Sequence, residues 1–250
     1  MRRFFAGPGS VIGSETVVLG KEEAAHIAKV LRMQPGDTVV VFDGSGVDYT
    51  VRLTEITLGE VVGTILYSGR SETEPPFELT LVQGIAKGDK MDLVIQKGVE
   101  IGVSRFIPLR AARSISVPDD VKAAERVKRW NRIAMESCKQ SGRSRVPSVE
   151  PVQGLSAVIA SLADRPAILF FEGDRVIGLR QVLAGLKERV KNTGSLTIII
   201  GPEGGFADHE VEAAGQASVI LAGLGPRILR TETAGMAAAA MILYELGDLG

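Results

Sequence analysis

After a polar stretch that ends in Pro75-Pro76, short apolar runs alternate with longer segments of helical periodicity, and this alternation constrains the fold more than any other feature of the chain. Phe77 to Ile85 reads as a strand, and Lys90 to Ile101 carries Met91, Val94, Ile95 and Val99 at helical spacing before Gly102 closes it. Phe106 to Leu109 is the next strand. A long helix is expected from about Val121 to Gln140, with Trp130 and Cys138 on its apolar side and Gly142 at its end. Strand Ala167 to Phe171, helix Leu179 to Val190, strand Leu196 to Ile200, helix Asp208 to Ala217 and strand Val219 to Ala222 follow. The closing helix runs from Thr231, read as its N-cap, to Leu246. Such alternation predicts an α/β domain with a largely parallel sheet, placed at 76–250.

The first seventy residues follow a different pattern. Thr16 to Leu19, Thr38 to Phe42, Tyr49 to Leu53 and Glu60 to Leu66 read as strands, punctuated by Pro35-Gly36-Asp37 and Asp43-Gly44-Ser45-Gly46. A small β-barrel over 1–70 is the natural expectation. One helix interrupts it, Lys21 to Met33, with Ala24, Ile27, Ala28 and Leu31 on one apolar face. Ser68 to Pro76 reads as the linker between the two domains.

Composition narrows the class. Hydrophobic residues at 45% and charged residues at 24% describe an ordinary globular protein. No apolar run is long enough for a membrane span, and Met1-Arg-Arg-Phe-Phe lacks the stretch of a secretory signal, so a cytoplasmic, non-membrane protein is expected. Cys138 is the one cysteine, which excludes an internal disulfide, and His26 and His209 are the only histidines; no metal is expected. Between Ala86 and Val146, 14 Lys or Arg stand against 7 Asp or Glu, a local charge of +7 in a chain whose total is −1. That segment could attract a polyanion or could simply be a solvated helix face.

Two glycine loops carry the functional signal. Gly201-Pro202-Glu203-Gly204-Gly205-Phe206 follows one strand, and Leu224-Gly225-Pro226-Arg227-Ile228-Leu229-Arg230-Thr231-Glu232-Thr233-Ala234 follows the next. Open α/β sheets bind ligands at the carboxyl ends of their strands. Glycine permits close backbone approach and proline fixes φ, so both loops can present rigid backbone groups to a flat, adenine-bearing ligand. A phosphate-binding P-loop would need Lys-Ser or Lys-Thr after its glycines, and Phe206-Ala207 stand there instead. Gly223-Leu-Gly225-Pro-Arg-Ile228 begins like a dinucleotide fingerprint, yet Ile228 replaces its third glycine.

These loops, taken in order with His26-Ile-Ala-Lys-Val-Leu-Arg32, Lys87-Gly-Asp-Lys-Met-Asp-Leu-Val-Ile-Gln-Lys97, Glu100-Ile-Gly102 and Gln140-Ser-Gly-Arg143, resemble the RsmE family of bacterial 16S ribosomal RNA uridine N3-methyltransferases from about residue 2 to residue 246. The resemblance implies an N-terminal PUA-like β-barrel for RNA and a C-terminal SPOUT α/β domain that binds S-adenosylmethionine in a deep trefoil knot. It also implies a homodimer through the second domain and 16S ribosomal RNA as substrate, in the assembled small subunit. The cofactor site would comprise Phe171, Glu172 and Gly173; Gly201, Pro202, Glu203, Gly204 and Gly205; and the segment with Leu221, Leu224, Gly225, Ile228 and Leu229. Glu203 could hold a ribose hydroxyl or the methionine amine, or could cap the helix starting near Asp208. Arg230 is the candidate for stabilising the imide anion that develops on uracil, with a salt bridge to Glu203 or Glu232 as its bland alternative. Glu203 and Glu232 are the candidate proton acceptors. RNA contacts are expected at Arg2, Arg3, His26 and Arg32 of the barrel and at Lys87, Lys97 and Arg143 of the second domain. Cys138 and Trp130 are read as core.

Overall fold

The computed structural model describes residues 1–7, 9–13, 15–114, 119–173 and 176–249. The chain divides into two compact units, one of residues 1–74 with 135–146 and one of residues 75–134 with 147–250.

The first unit contains β1 (Arg3–Phe5), β2 (Val11–Ile12), β3 (Thr16–Leu19), α1 (Lys21–Ala25), β4 (Thr38–Phe42), β5 (Val47–Ile56) and β6 (Val61–Arg70). The strands form one sheet in the order β1-β4-β5-β6-β3-β2, antiparallel except where β1 runs parallel to β4. Phe4, Val17, Leu19, Val39, Val41, Val51, Leu53 and Val61 point inward, the alternate positions of half-buried strands, and with Ile27 of the helical segment they make its core. The helix expected over Lys21 to Met33 is α-helical only to Ala25 and continues as a π-helix over His26–Val30, with the Leu31 N–H donating to the His26 carbonyl at 3.0 Å. Apolar spacing identifies a buried face, but it does not reveal a shift of the hydrogen-bond ladder by one residue.

The second unit contains β7 (Glu78–Gly84), α2 (Lys90–Ile101), β8 (Arg105–Arg110), α3 (Asp120–Ser141, whose last turns belong to the first unit), β9 (Ser148–Val149), β10 (Gln153–Gly154), α4 (Leu155–Ser161), β11 (Ala167–Phe170), β12 (Ile177–Gly178), α5 (Leu179–Thr193), β13 (Ser195–Ile200), α6 (Asp208–Gln216), β14 (Ile220–Gly223) and α7 (Thr231–Glu245). Its sheet is parallel throughout, in the order β10-β8-β7-β13-β11-β14-β12, with β9 also on β8. β13 and β11 are buried at every residue, which is why they read as unbroken apolar runs. Val82, Leu109, Leu155, Val158, Leu169, Ile199, Phe206 and Ala214 belong to one core cluster on this sheet. In register, Gln83 faces Ile200, Ile200 faces Phe170, and Phe170 faces Ala222. The strands β7, β13, β11 and β14 therefore end in one row, and the loops that follow them leave the same edge.

Candidate cofactor and substrate site

That edge carries a cavity of about 920 Å³, bounded by the segments Phe170–Gly173, Ile200–Phe206 and Gly223–Thr231, with Lys90 and Arg113 beside them. Its size lies within the range of small-molecule sites. Of the expected cofactor residues, Phe171, Glu172, Gly173, Gly201 to Gly205, Leu224, Gly225, Ile228 and Leu229 all line it. Leu221 does not: it sits on β14 and packs against the hydrophobic core, because its strand position turns the side chain toward the helices.

Close backbone approach shapes the cavity. A Cβ on Gly84 would lie 2.2 Å from the nitrogen of Pro202, so the end of β7 abuts the loop after β13 with no room for a side chain. A Cβ on Gly204 would lie 2.8 Å from the Arg113 carbonyl oxygen. Gly225 is different: its φ is +103° and a Cβ there would meet nothing within 4 Å. The space a side chain would take at Gly225 is thus left open to a ligand. Ile228 is 81% exposed although apolar, which suits a side chain that covers a flat ligand.

Thr231 has a role other than the one expected. The N-cap of α7 is Arg230, without a side-chain cap. The Thr231 hydroxyl instead donates to the Gly201 carbonyl at 2.6 Å and accepts from Gln83 Nε2 at 2.7 Å. It ties the start of α7 to the ends of β7 and β13.

Two carboxylates converge on one ammonium. Glu203 Oε1 accepts from the Lys87 backbone N–H at 3.1 Å and lies 3.5 Å from Lys90 Nζ, and Glu232 Oε2 lies 3.3 Å from the same nitrogen. Partial burial of Glu203 works to raise its pKa, but the Lys87 N–H and Lys90 together outweigh it and hold the carboxyl below its usual range. Glu203 does not cap the helix after it; Glu210 does, accepting from the Ala207 N–H at 2.9 Å. Lys90 takes the carboxylates that were the bland alternative for Arg230, and Arg230 stands exposed on the cavity wall. Lys90 was not singled out by sequence, although a signal existed: it opens α2, where the helix dipole disfavours a cation unless acids face it.

The expected RNA contacts separate by environment. Arg2, His26, Arg32 and Lys87 are exposed. Lys97 pairs with Glu100 at 2.8 Å. Arg3 makes a two-pronged bond to Asp48, at 2.8 and 3.1 Å, and lies over the Phe42 ring. Arg143 corrects the expectation of a ligand-facing arginine: its side chain is 4% exposed and bonds Glu74 at 2.8 Å, while the other Glu74 oxygen accepts from the Ser144 and Arg145 N–H groups. Cys138 and Trp130 are buried as expected, Trp130 donating to Asp92 at 3.1 Å. Burial pushes the Cys138 thiol up to about 12. Among the described residues no group of three or more His, Cys, Asp or Glu could hold a metal ion, and no helix is long and apolar enough to cross a membrane.

Comparison with known proteins places this geometry. An RNA methyltransferase domain family matches residues 73–243, and an RNA methyltransferase PUA domain family matches residues 19–66. Ribosomal RNA small subunit methyltransferase E of Bacillus subtilis is 34% identical over 90% of this chain and 88% of its own length. The crystal structure of a ribosomal RNA small subunit methyltransferase E from Neisseria gonorrhoeae, bound to S-adenosylmethionine, matches with a TM-score of 0.85 at 32% identity, over all of both chains. A Legionella pneumophila protein in complex with the same cofactor matches with a TM-score of 0.84 at 27% identity, over 97% of each chain. With its cavity on the glycine loops and these relatives over its whole length, the chain belongs to the ribosomal RNA small subunit methyltransferase E family and is an S-adenosylmethionine-dependent RNA methyltransferase.

Proposed function

We propose that this chain methylates N3 of a specific uridine in 16S ribosomal RNA, in the assembled small subunit and in the cytoplasm. The observation that carries this reading is the cavity at the strand ends, where Gly225 leaves open space and Ile228 stands uncovered. Those features fit an adenine, and the three converging loops supply backbone groups to hold it. S-adenosylmethionine, when bound, supplies an electrophilic methyl group.

The chain's own residues must position the uracil and help its N3 proton leave. Arg230, exposed on the cavity wall, donates to a uracil oxygen and stabilises the anion that develops as the proton departs. Glu203, whose carboxyl the Lys87 N–H and Lys90 hold below its usual range, acts through its charge, toward the methionine amine or a ribose hydroxyl. Arg2, His26 and Arg32 bind RNA from a first unit that closes as a PUA-like barrel, and Lys87 extends that surface on the second.

The second unit is read as a SPOUT domain with a trefoil knot. In support, the chain passes from β13 across β11 to β14, then returns as α7 to pack on α2, β7 and β13. It pairs with a second copy through α7 and α2, whose exposed Met241, Tyr244 and Leu93 offer an apolar face. The test is mass spectrometry of ribosomal RNA from cells lacking the protein. Loss of one N3-methyluridine in 16S RNA, restored by the wild-type gene, is expected; an unchanged nucleoside profile would overturn the assignment.

A further inference from the structure

We propose that Lys90 sets the charge of the cofactor cavity and thereby how strongly the protein distinguishes the methyl donor from its demethylated product. This role rests on the reading of the cavity as the donor's site and adds a residue that selects between its two ligands. S-adenosylmethionine carries one positive charge more than S-adenosylhomocysteine, because loss of the methyl group turns a sulfonium into a neutral thioether. Any fixed charge at the cavity wall therefore acts on one ligand more than on the other.

Lys90 is placed to act in this way. It lines the cavity and stands between Glu203, which also lines it, and Glu232, at the first turn of α7. Glu203 has a second partner in the Lys87 N–H. Glu232 is 9% exposed, and its Oε2 is buried with no hydrogen bond of its own, so the ammonium 3.3 Å away balances it. Without Lys90 the two carboxylates would attract the sulfonium and hold the donor against a transfer that removes its charge. Binding the reactant more tightly than the transition state slows reaction. Lys90 cancels much of that attraction and keeps donor and product closer in affinity.

Removal of one unit charge across a cavity width of about 10 Å should change the affinity ratio of donor to product by about two- to fifteenfold at effective dielectrics between those of water and protein surface. The experiment is calorimetric titration of the full-length protein with S-adenosylmethionine and with S-adenosylhomocysteine, at low and at physiological salt. For Lys90→Met the preference for S-adenosylmethionine should rise by about two- to fifteenfold, and more at low salt. Lys90→Arg should keep the wild-type ratio, and Lys90→Met with Glu203→Gln should move back toward it. A loosened loop would weaken both ligands alike and cancel in the ratio. Glu203→Gln alone tests the opposite sign, should the Lys90 variants fail to fold: the preference must fall. A ratio in Lys90→Met or Glu203→Gln equal to that of the wild type would overturn the role of Lys90. Wild-type protein that bound neither compound would overturn the reading of the cavity itself.

Discussion

Replacing Thr231 by valine removes one hydroxyl and nearly no volume, and the structure gives the cost. Gln83 Nε2 would lose its 2.7 Å acceptor and keep the Gly84 carbonyl at 3.3 Å, while the Gly201 carbonyl would lose its 2.6 Å donor. Gln83 is almost fully buried and its Oε1 already lacks a hydrogen-bond partner, so water cannot readily replace what is lost. A buried polar group left unpaired costs about 1–3 kcal/mol; Gln83 keeps one acceptor and Gly201 is only half-buried, so the total loss should be about 1–3 kcal/mol. In a domain of this size that lowers Tm by roughly 2–12 °C. The hydroxyl also fixes the Gly201 carbonyl at the cavity wall, so S-adenosylmethionine affinity should fall in the same variant. Thr231→Ser keeps the hydroxyl and should retain most of both properties. Thermal unfolding with and without cofactor measures the two effects together. Thr231→Val within about 0.5 kcal/mol of wild type, the ordinary range for an uncritical surface change, would show that the two bonds do not hold loop and helix together.

Further outcomes follow from the same site. Arg230→Ala should lower single-turnover methylation at saturating cofactor by on the order of a hundredfold with cofactor affinity little changed, and Arg230→Lys should recover little, since an ammonium lacks the guanidinium fork; a normal transfer rate with poor cofactor binding would make Arg230 a brace of the loop. Gly225→Val should abolish measurable S-adenosylmethionine binding in calorimetry, since the side chain would project into open cavity from a backbone at φ +103° that L-residues avoid; tight binding in that variant would mean the adenine lies elsewhere. Cys138, raised to about 12 from an ordinary value near 9, stabilises the fold fully below pH 9 and loses that contribution as pH rises toward 12. Alkaline unfolding should therefore steepen by up to about 1.4 kcal/mol per pH unit in that window and lose this limb in Cys138→Ala.

What could be read from the sequence was what local chemistry determines. Leu196 to Ile200 is apolar at every position because β13 is covered on both faces, and Met91, Val94, Ile95 and Val99 recur at helical spacing because α2 buries one side. The cavity loops were legible for the same reason: glycines and prolines after apolar runs report backbone geometry, and Gly225 does occupy a conformation that glycine favours. The short helix α4, between Gly154 and Leu162, was not anticipated, although Leu155, Val158, Ile159 and Leu162 recur at helical spacing after Gly154. Nor does spacing show that His26–Val30 winds as a π-helix, since the bond that shifts belongs to the backbone.

Pairings between residues distant in sequence were the part that could not be read. Arg143 and Glu74 are separated by 69 positions, and Gln83 and Thr231 by 148. Charge counts predicted a cationic surface between Ala86 and Val146, yet they could not tell Arg143, whose charge is absorbed inside the first unit, from Lys87, whose ammonium faces solvent. Lys90 is the instructive case between these extremes. Its position was anomalous on local grounds, a cation at the start of α2, and the anomaly is resolved only when Glu203 arrives from a loop and Glu232 from the first turn of α7, each more than a hundred residues downstream. A local rule broken at a cavity wall is where tertiary contact has overridden propensity. That is the physical ground for treating Lys90 as part of the cofactor site rather than as one more solvated charge.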